Sequence, residues 1–281
     1  MVVAALLSAC GAGGDASTAP EQPDDVARLQ PGDRPVRFRL DTAVTPEHER
    51  FIVETLGWAH SDHGDSGPLT IHVYSDQERF VTAYTNDFGI DRAQARDQLA
   101  KGQTAFASYG GHIWIYLLNY EKRPENQRRH ALFHEYLHTL QQWLAEVRFQ
   151  SKTPAERSFV PRWLVEGCAE YLAVRAGAGR GFIDESRQRA IVVDRARRGT
   201  DPLSAFETKG EAGFQGGTGE AYTVGWLGCE RLALTRGPDA VTRQFWVSMA
   251  ATRDWELAFT DAFGVTPAAF YADFDLYRAT L

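Results

Sequence analysis

The stretch His134-Glu135-Tyr136-Leu137-His138 reads HExxH and lies inside a strongly helical segment. Positions i and i+4 of an α-helix are about 40° apart around the axis and about 6 Å apart along it, so both imidazoles share one face. Two ring nitrogens can therefore converge on one metal ion. Glu135 is close enough to take a proton from a water at that ion without being a ligand itself. A third donor follows in Trp163-Leu164-Val165-Glu166-Gly167-Cys168-Ala169-Glu170-Tyr171, after a polar loop containing Pro154 and Pro161. Glu166 is the candidate. Two imidazoles, one carboxylate and an open fourth position form the donor set of hydrolytic zinc, so one Zn2+ per chain is expected.

The rest of the chain sets the context for that site. Its 281 residues suffice for one large domain or two packed lobes with a substantial core. A formal charge of −7, with no Lys/Arg cluster against it, argues against nucleic-acid binding through a basic surface. Val2–Leu7 is a short apolar run leading into Leu7-Ser8-Ala9-Cys10. This resembles a bacterial lipoprotein signal, which implies cleavage before Cys10 and a lipid on its thiol, although no Lys or Arg precedes the run. The resemblance implies a protein of the bacterial cell envelope, outside the cytoplasm and tied to the membrane through Cys10. Residues 1–9 are then a signal peptide. Residues 10–35, rich in Gly, Ala, Asp and Pro, read as a flexible tether. Cys168 and Cys229 remain, an even number suited to a disulfide in an oxidising compartment. Cys168 lies about 200° around a helix from Glu166, so it should face away from the metal.

An α+β fold is expected, with a mixed lobe over 36–123 and a helical lobe over 124–281 in one catalytic domain. Strands are predicted at Val36–Leu40, Leu69–Tyr74, Thr104–Ser108 and His112–Leu117, the last two as a hairpin. Helices are predicted at Pro46–Ala59, Asp76–Tyr84 and Gln94–Leu99, then at Asn126–Arg148, Arg162–Ala176, Glu185–Arg197, Gly219–Thr235, Pro238–Met249, Trp255–Phe263 and Thr266–Ala279. The motif helix carries Leu132, Phe133, Tyr136, Leu137, Leu140, Trp143, Leu144 and Val147 around much of its circumference, as expected of a helix buried between lobes. His130 extends the i, i+4 series. Three histidines spread over two turns cannot share a tetrahedral ion with Glu166, so His130 reads as a partly exposed residue near the helix start. His60 and His63 are placed in a Gly/Asp-rich loop. His48, His72 and His112 show no ligand spacing.

These residues resemble a zinc peptidase of the gluzincin type, within the thermolysin-like and aminopeptidase-like superfamily called peptidase MA. HEYLH matches the first motif and WLVEGCAEY is similar to the second, in which the Glu before Gly completes the metal site. Trp255–Tyr277 also looks like the terminal helices of lipoprotein-like members. The resemblance implies His134, His138 and Glu166 as ligands, Glu135 as general base, and a small sheet whose edge strand borders the cleft. It implies that Glu170, one turn past Glu166, orients a ligating His, and that Tyr222 hydrogen-bonds the tetrahedral oxyanion. The strand His112–Leu117, with Ile113, Trp114 and Ile115, is the candidate edge for pairing with substrate backbone. The 27 residues between His138 and Glu166 exceed the gap in aminopeptidases. No motif for gripping a free amine is evident.

The function expected is a zinc metallopeptidase acting on peptides or proteins. Two alternatives share much of this sequence logic. One is a non-catalytic binding lipoprotein on the same fold, against which Glu135 argues, because a structural zinc needs no base. The other is a zinc hydrolase of non-peptide amides or esters. The sequence specifies no oligomeric state.

Overall fold

A computed structural model describes residues 25–28, 35–88, 91–108, 110–147, 160–207 and 220–281. Cys10, the segment before it and most of the expected tether lie outside the described residues. The chain opens with β1 (Asp25–Arg28) and β2 (Pro35–Leu40), then α1 (Pro46–His63), β3 (Leu69–Tyr74), α2 (Gln77–Phe88), α3 (Arg92–Ala100), β4 (Ala105–Ser108) and β5 (His112–Tyr116). It continues through α4 (Leu117–Glu121), α5 (Glu125–Ala145), α6 (Arg162–Gly179) and α7 (Glu185–Arg198). After a 3-10 turn at Leu203–Phe206 come α8 (Glu220–Arg236), a π turn at Ala240–Gln244 running into α9 (Phe245–Thr252), α10 (Trp255–Phe263) and α11 (Pro267–Ala279). The fold is mostly helical with one small mixed sheet, as expected for α+β.

The five strands lie in the order β1-β2-β3-β5-β4, parallel from β2 through β3 to β5 and antiparallel at both ends. Period-2 alternation decides which face each side chain joins. Leu69, Ile71, Val73, Ile113 and Ile115 point to the large core shared with α1 and α5. Trp114, on the opposite face, packs with Phe80, Tyr84, Leu99 and Phe106 under α2 and α3. The large core runs without a break from Val36 on β2 to Phe274 on α11. On α5, Phe133, Leu137 and Leu140 are buried in that core. Each such side chain contributes about 1.5–3 kcal/mol on leaving water.

Several expectations need correction. The strand carrying Ile113, Trp114 and Ile115 is not an edge: it pairs with β3 on one side and β4 on the other, and these three residues are 0%, 1% and 0% exposed. The edge is β4. Within the β4–β5 hairpin, β5 adds in parallel to β3, which leaves β4 outermost. The segment read as a tether contains β1, paired with β2. Backbone pairing alone can order so short a strand, which leaves little hydrophobic signal to read. His60 and His63 are in the last turn of α1 rather than in a loop. There His60 Nδ1 lies 3.1 Å from the Tyr136 hydroxyl, and His63 packs edge-on against Phe133.

The helix pair α6 and α8 determines how closely the second motif is held. A Cβ on Gly167 would meet the Gly225 carbonyl carbon at 2.2 Å, and one on Gly225 would meet the Trp163 oxygen at 2.6 Å. The two backbones therefore touch, which only glycines permit at both positions. Cys168 and Cys229 form a disulfide across the same contact, with Cα atoms 5.2 Å apart. Cys168 is fully buried and, as expected, sits apart from the side of α6 that carries Glu166.

Candidate metal centre

Three donor atoms come together where α5 crosses α6. His138 Nε2 lies 3.0 Å from His134 Nε2, and Glu166 Oε2 is 3.1 Å from the first and 3.3 Å from the second. All three residues are buried. Three vertices of a tetrahedron around zinc, with bonds of about 2.0 Å, would lie about 3.3 Å apart. The donor set and its spacing therefore fit a zinc ion.

The surroundings of the two imidazoles decide which nitrogens face the centre. Gln141 Nε2 donates to the Val165 carbonyl at 3.0 Å, which turns its amide oxygen toward His138 Nδ1 at 3.0 Å. That oxygen can only accept, so Nδ1 carries the proton and Nε2 offers its lone pair. Glu170 Oε2 lies 3.2 Å from His134 Nδ1, an ion-pair contact that falls short of hydrogen-bond alignment. A carboxylate there favours a proton on Nδ1 and a free Nε2. One donor atom from each of three residues thus points at one place. Burial alone would lower the His134 pKa, but Glu166 and Glu170 overcome it and hold it well above the usual histidine value.

Charge at the other carboxylates follows the same logic. For Glu166, burial is outweighed by the Arg162 guanidinium and the two histidines, which hold its pKa well below the ordinary range. Burial would raise the pKa of the partly buried Glu170, yet His130 and His134 bring it down to about 2. Its Oε1 is 3.4 Å from His130 Nε2, so His130 contacts the outer carboxylate and remains partly exposed. Glu135 behaves in the opposite way. Burial raises its pKa, the two histidines only partly offset this, and the Ala107 N–H donates to it. A carboxylate with a raised pKa beside a candidate metal centre suits proton transfer.

Tyr222, on α8, has its ring centroid 6.0 Å from that of His134. Its hydroxyl hydrogen-bonds Glu166, and burial followed by the nearby Glu166 charge pushes its pKa well above the usual phenol value. It therefore keeps its proton and can act as a donor. The structure thus gathers His134, Glu135, His138, Glu166, Glu170 and Tyr222 around one point. It places Ile113, Trp114 and Ile115 in the sheet interior instead.

Sequence reading missed three contributors. Gln141 lies three residues past His138, and Arg162 lies four before Glu166 with Nη2 2.7 Å from Oε1. Both spacings are helical contacts and were visible in principle. Ala107 carries no chemical signal, because only its backbone takes part.

No family model matches the sequence, and no curated protein matches it. Among solved structures, a mutant of the M1 zinc metallopeptidase from Deinococcus radiodurans is similar, with a TM-score of 0.47, 18% identity, and coverage of 91% of this chain and 51% of that one. The unmodified enzyme and the mutant bound to a Tyr-Ser-Ala substrate both give a TM-score of 0.46 at the same identity and coverage. The chain spans about half the length of these structures.

Proposed function

We propose that the protein is a zinc-dependent metallopeptidase, with His134, His138 and Glu166 as ligands and Glu135 as general base. The convergence of two imidazole nitrogens and one carboxylate oxygen at 3.0–3.3 Å, with Glu135 alongside, carries this reading. Bound zinc would supply a Lewis acid that acidifies water and polarises a carbonyl. The chain's own residues do the rest. Glu135 accepts the proton of the attacking water and delivers it to the departing amine. Tyr222 donates its hydroxyl to the oxygen that gains charge as the carbonyl becomes tetrahedral. Glu170 and Gln141 hold the two imidazoles by their Nδ1 sides.

An extended substrate has a strand to pair with, and it is β4. Tyr116 N–H donates to Thr104 O at 3.0 Å, so alternate residues Thr104 and Phe106 face β5, while Ala105 and Ala107 turn their backbone groups outward. The Ala107 N–H already reaches Glu135. Peptide backbone laid along Ala105 and Ala107 would bring a carbonyl toward the base. Retention of a poised Glu135 favours a peptidase over a non-catalytic scaffold.

The test is to purify the protein, measure bound metal, and assay a mixed peptide library beside Glu135→Gln. One zinc per chain in both proteins, with cleavage lost in the variant, supports the proposal. Cleavage by the variant would remove Glu135 as the base, and a protein without zinc would remove the metal reading altogether.

A further inference from the structure

Glu166 has two carboxylate oxygens, and they have different neighbours. Oε2 faces the imidazole nitrogens, whereas Oε1 is held by Arg162 Nη2 at 2.7 Å. We propose that Arg162 is a positioning residue that presents Glu166 to the metal as a one-oxygen ligand. This inference rests on the zinc reading above and extends it to a residue outside the motif.

The physical argument begins with helix electrostatics. Arg162 is the first residue of α6, following the N-cap Pro161. A cation in that turn faces the positive end of the helix dipole and is disfavoured there. An exposed i, i+4 ion pair would return only a few tenths of a kcal/mol. Helix stability therefore does not account for its placement. The pair is also not a surface pair, because the Glu166 side chain is 7% exposed and that of Arg162 is 25% exposed.

The coordination argument follows. A carboxylate with both oxygens free can grip a metal through one oxygen or through two. The two-oxygen grip would fill a position that hydrolysis needs open for water or substrate. Arg162 engages Oε1 in an ion pair at 2.7 Å, which leaves a single oxygen directed at the centre. A guanidinium at this distance also orients the buried carboxylate before metal arrives, which reduces the ordering cost of binding.

The experiment measures zinc dissociation constants by chelator competition, and visible absorption after cobalt substitution, in the wild type, Arg162→Gln and Arg162→Lys. Arg162→Gln should bind zinc about 10-fold or more weakly. Its cobalt bands should weaken, as expected when a second Glu166 oxygen raises the coordination number. Arg162→Lys supplies a cation to the same oxygen and should recover the wild-type spectrum, with affinity within about 3-fold. Wild-type affinity and spectrum in Arg162→Gln would overturn the proposal. So would an affinity loss in both variants with unchanged cobalt bands, which is the pattern of lost packing. Should Arg162→Gln not fold, Arg162→Lys decides: recovery supports the role and an equal loss refutes it. A wild type that binds no zinc would instead overturn the metal reading, and this inference with it.

Discussion

At the residue scale, the site depends on which atoms carry protons. Tyr222 stays protonated because burial and the Glu166 charge both oppose its ionisation. Tyr222→Phe should therefore retain zinc and lower kcat by about 100-fold, the loss typical of one oxyanion donor, with KM little changed. An unaltered kcat would leave Tyr222 as a packing residue. A second prediction concerns His72, which is 1% exposed, stacks on Trp114 with centroids 3.7 Å apart, and has Nε2 2.8 Å from His112 Nδ1. Burial, with His112 and Arg39 adding positive charge nearby, lowers its pKa from 6.5 to about 2. The folded value lies below the unfolded one, so the stability linked to neutral His72 is fully present above the unfolded value and is lost as pH falls below it. Each pH unit below about 6 costs about 1.4 kcal/mol from this residue. In urea titrations at pH 6, 5 and 4, His72→Gln should show a shallower acid loss than the wild type. Parallel curves would exclude His72 as a contributor.

At the element scale, β4 matters through backbone groups alone. Ala105 and Ala107 point their N–H and C=O groups away from β5, so a proline at position 107 removes no sheet hydrogen bond. Ala107→Pro should fold with its sheet pairing intact, at a cost of about 1–3 kcal/mol for the lost donor to Glu135. Peptide hydrolysis should fall mainly through a raised KM, measured on a substrate long enough to lie along the strand. Unchanged KM would mean that substrate does not pair with β4. The helices supply rigidity to the same cleft. Because α6 and α8 touch at Gly167 and Gly225, Glu166 and Tyr222 are held by two backbones in contact.

At the scale of the whole molecule, one continuous core joins sheet and helices, and one covalent link crosses it. The Cys168–Cys229 disulfide closes a loop with a sequence separation of 61 and ties the helix bearing Glu166 to the helix bearing Tyr222. Chain-entropy arguments assign such a loop roughly 4 kcal/mol, with 2–4 kcal/mol typical in practice. The double variant Cys168→Ala, Cys229→Ala should show that loss in urea unfolding of the folded protein. Coincident unfolding curves would show that the glycine contact alone holds the helices. Elsewhere α7, α8 and α11 are joined by Arg189, which grips Glu230 at 2.8 and 3.0 Å and the Tyr277 hydroxyl at 3.1 Å.

The sequence by itself determined the donor set of the candidate metal centre, because helical spacing is local: residues three or four apart share a face whatever surrounds them. His134, Glu135 and His138 were legible for that reason, as were Glu166 with Glu170 and the alternation of Leu69, Ile71 and Val73. Most helices were legible too, Trp255–Phe263 to the residue. Strand order was not legible, because pairing joins residues far apart in sequence and leaves the same alternation in an edge or an interior strand. Only the tertiary structure placed β4 outermost and buried Ile113, Trp114 and Ile115. It alone joined Cys168 to Cys229, brought Tyr222 to His134, and aimed a backbone N–H of Ala107 at Glu135. Each of these depends on the packing of separate elements, which no local spacing encodes.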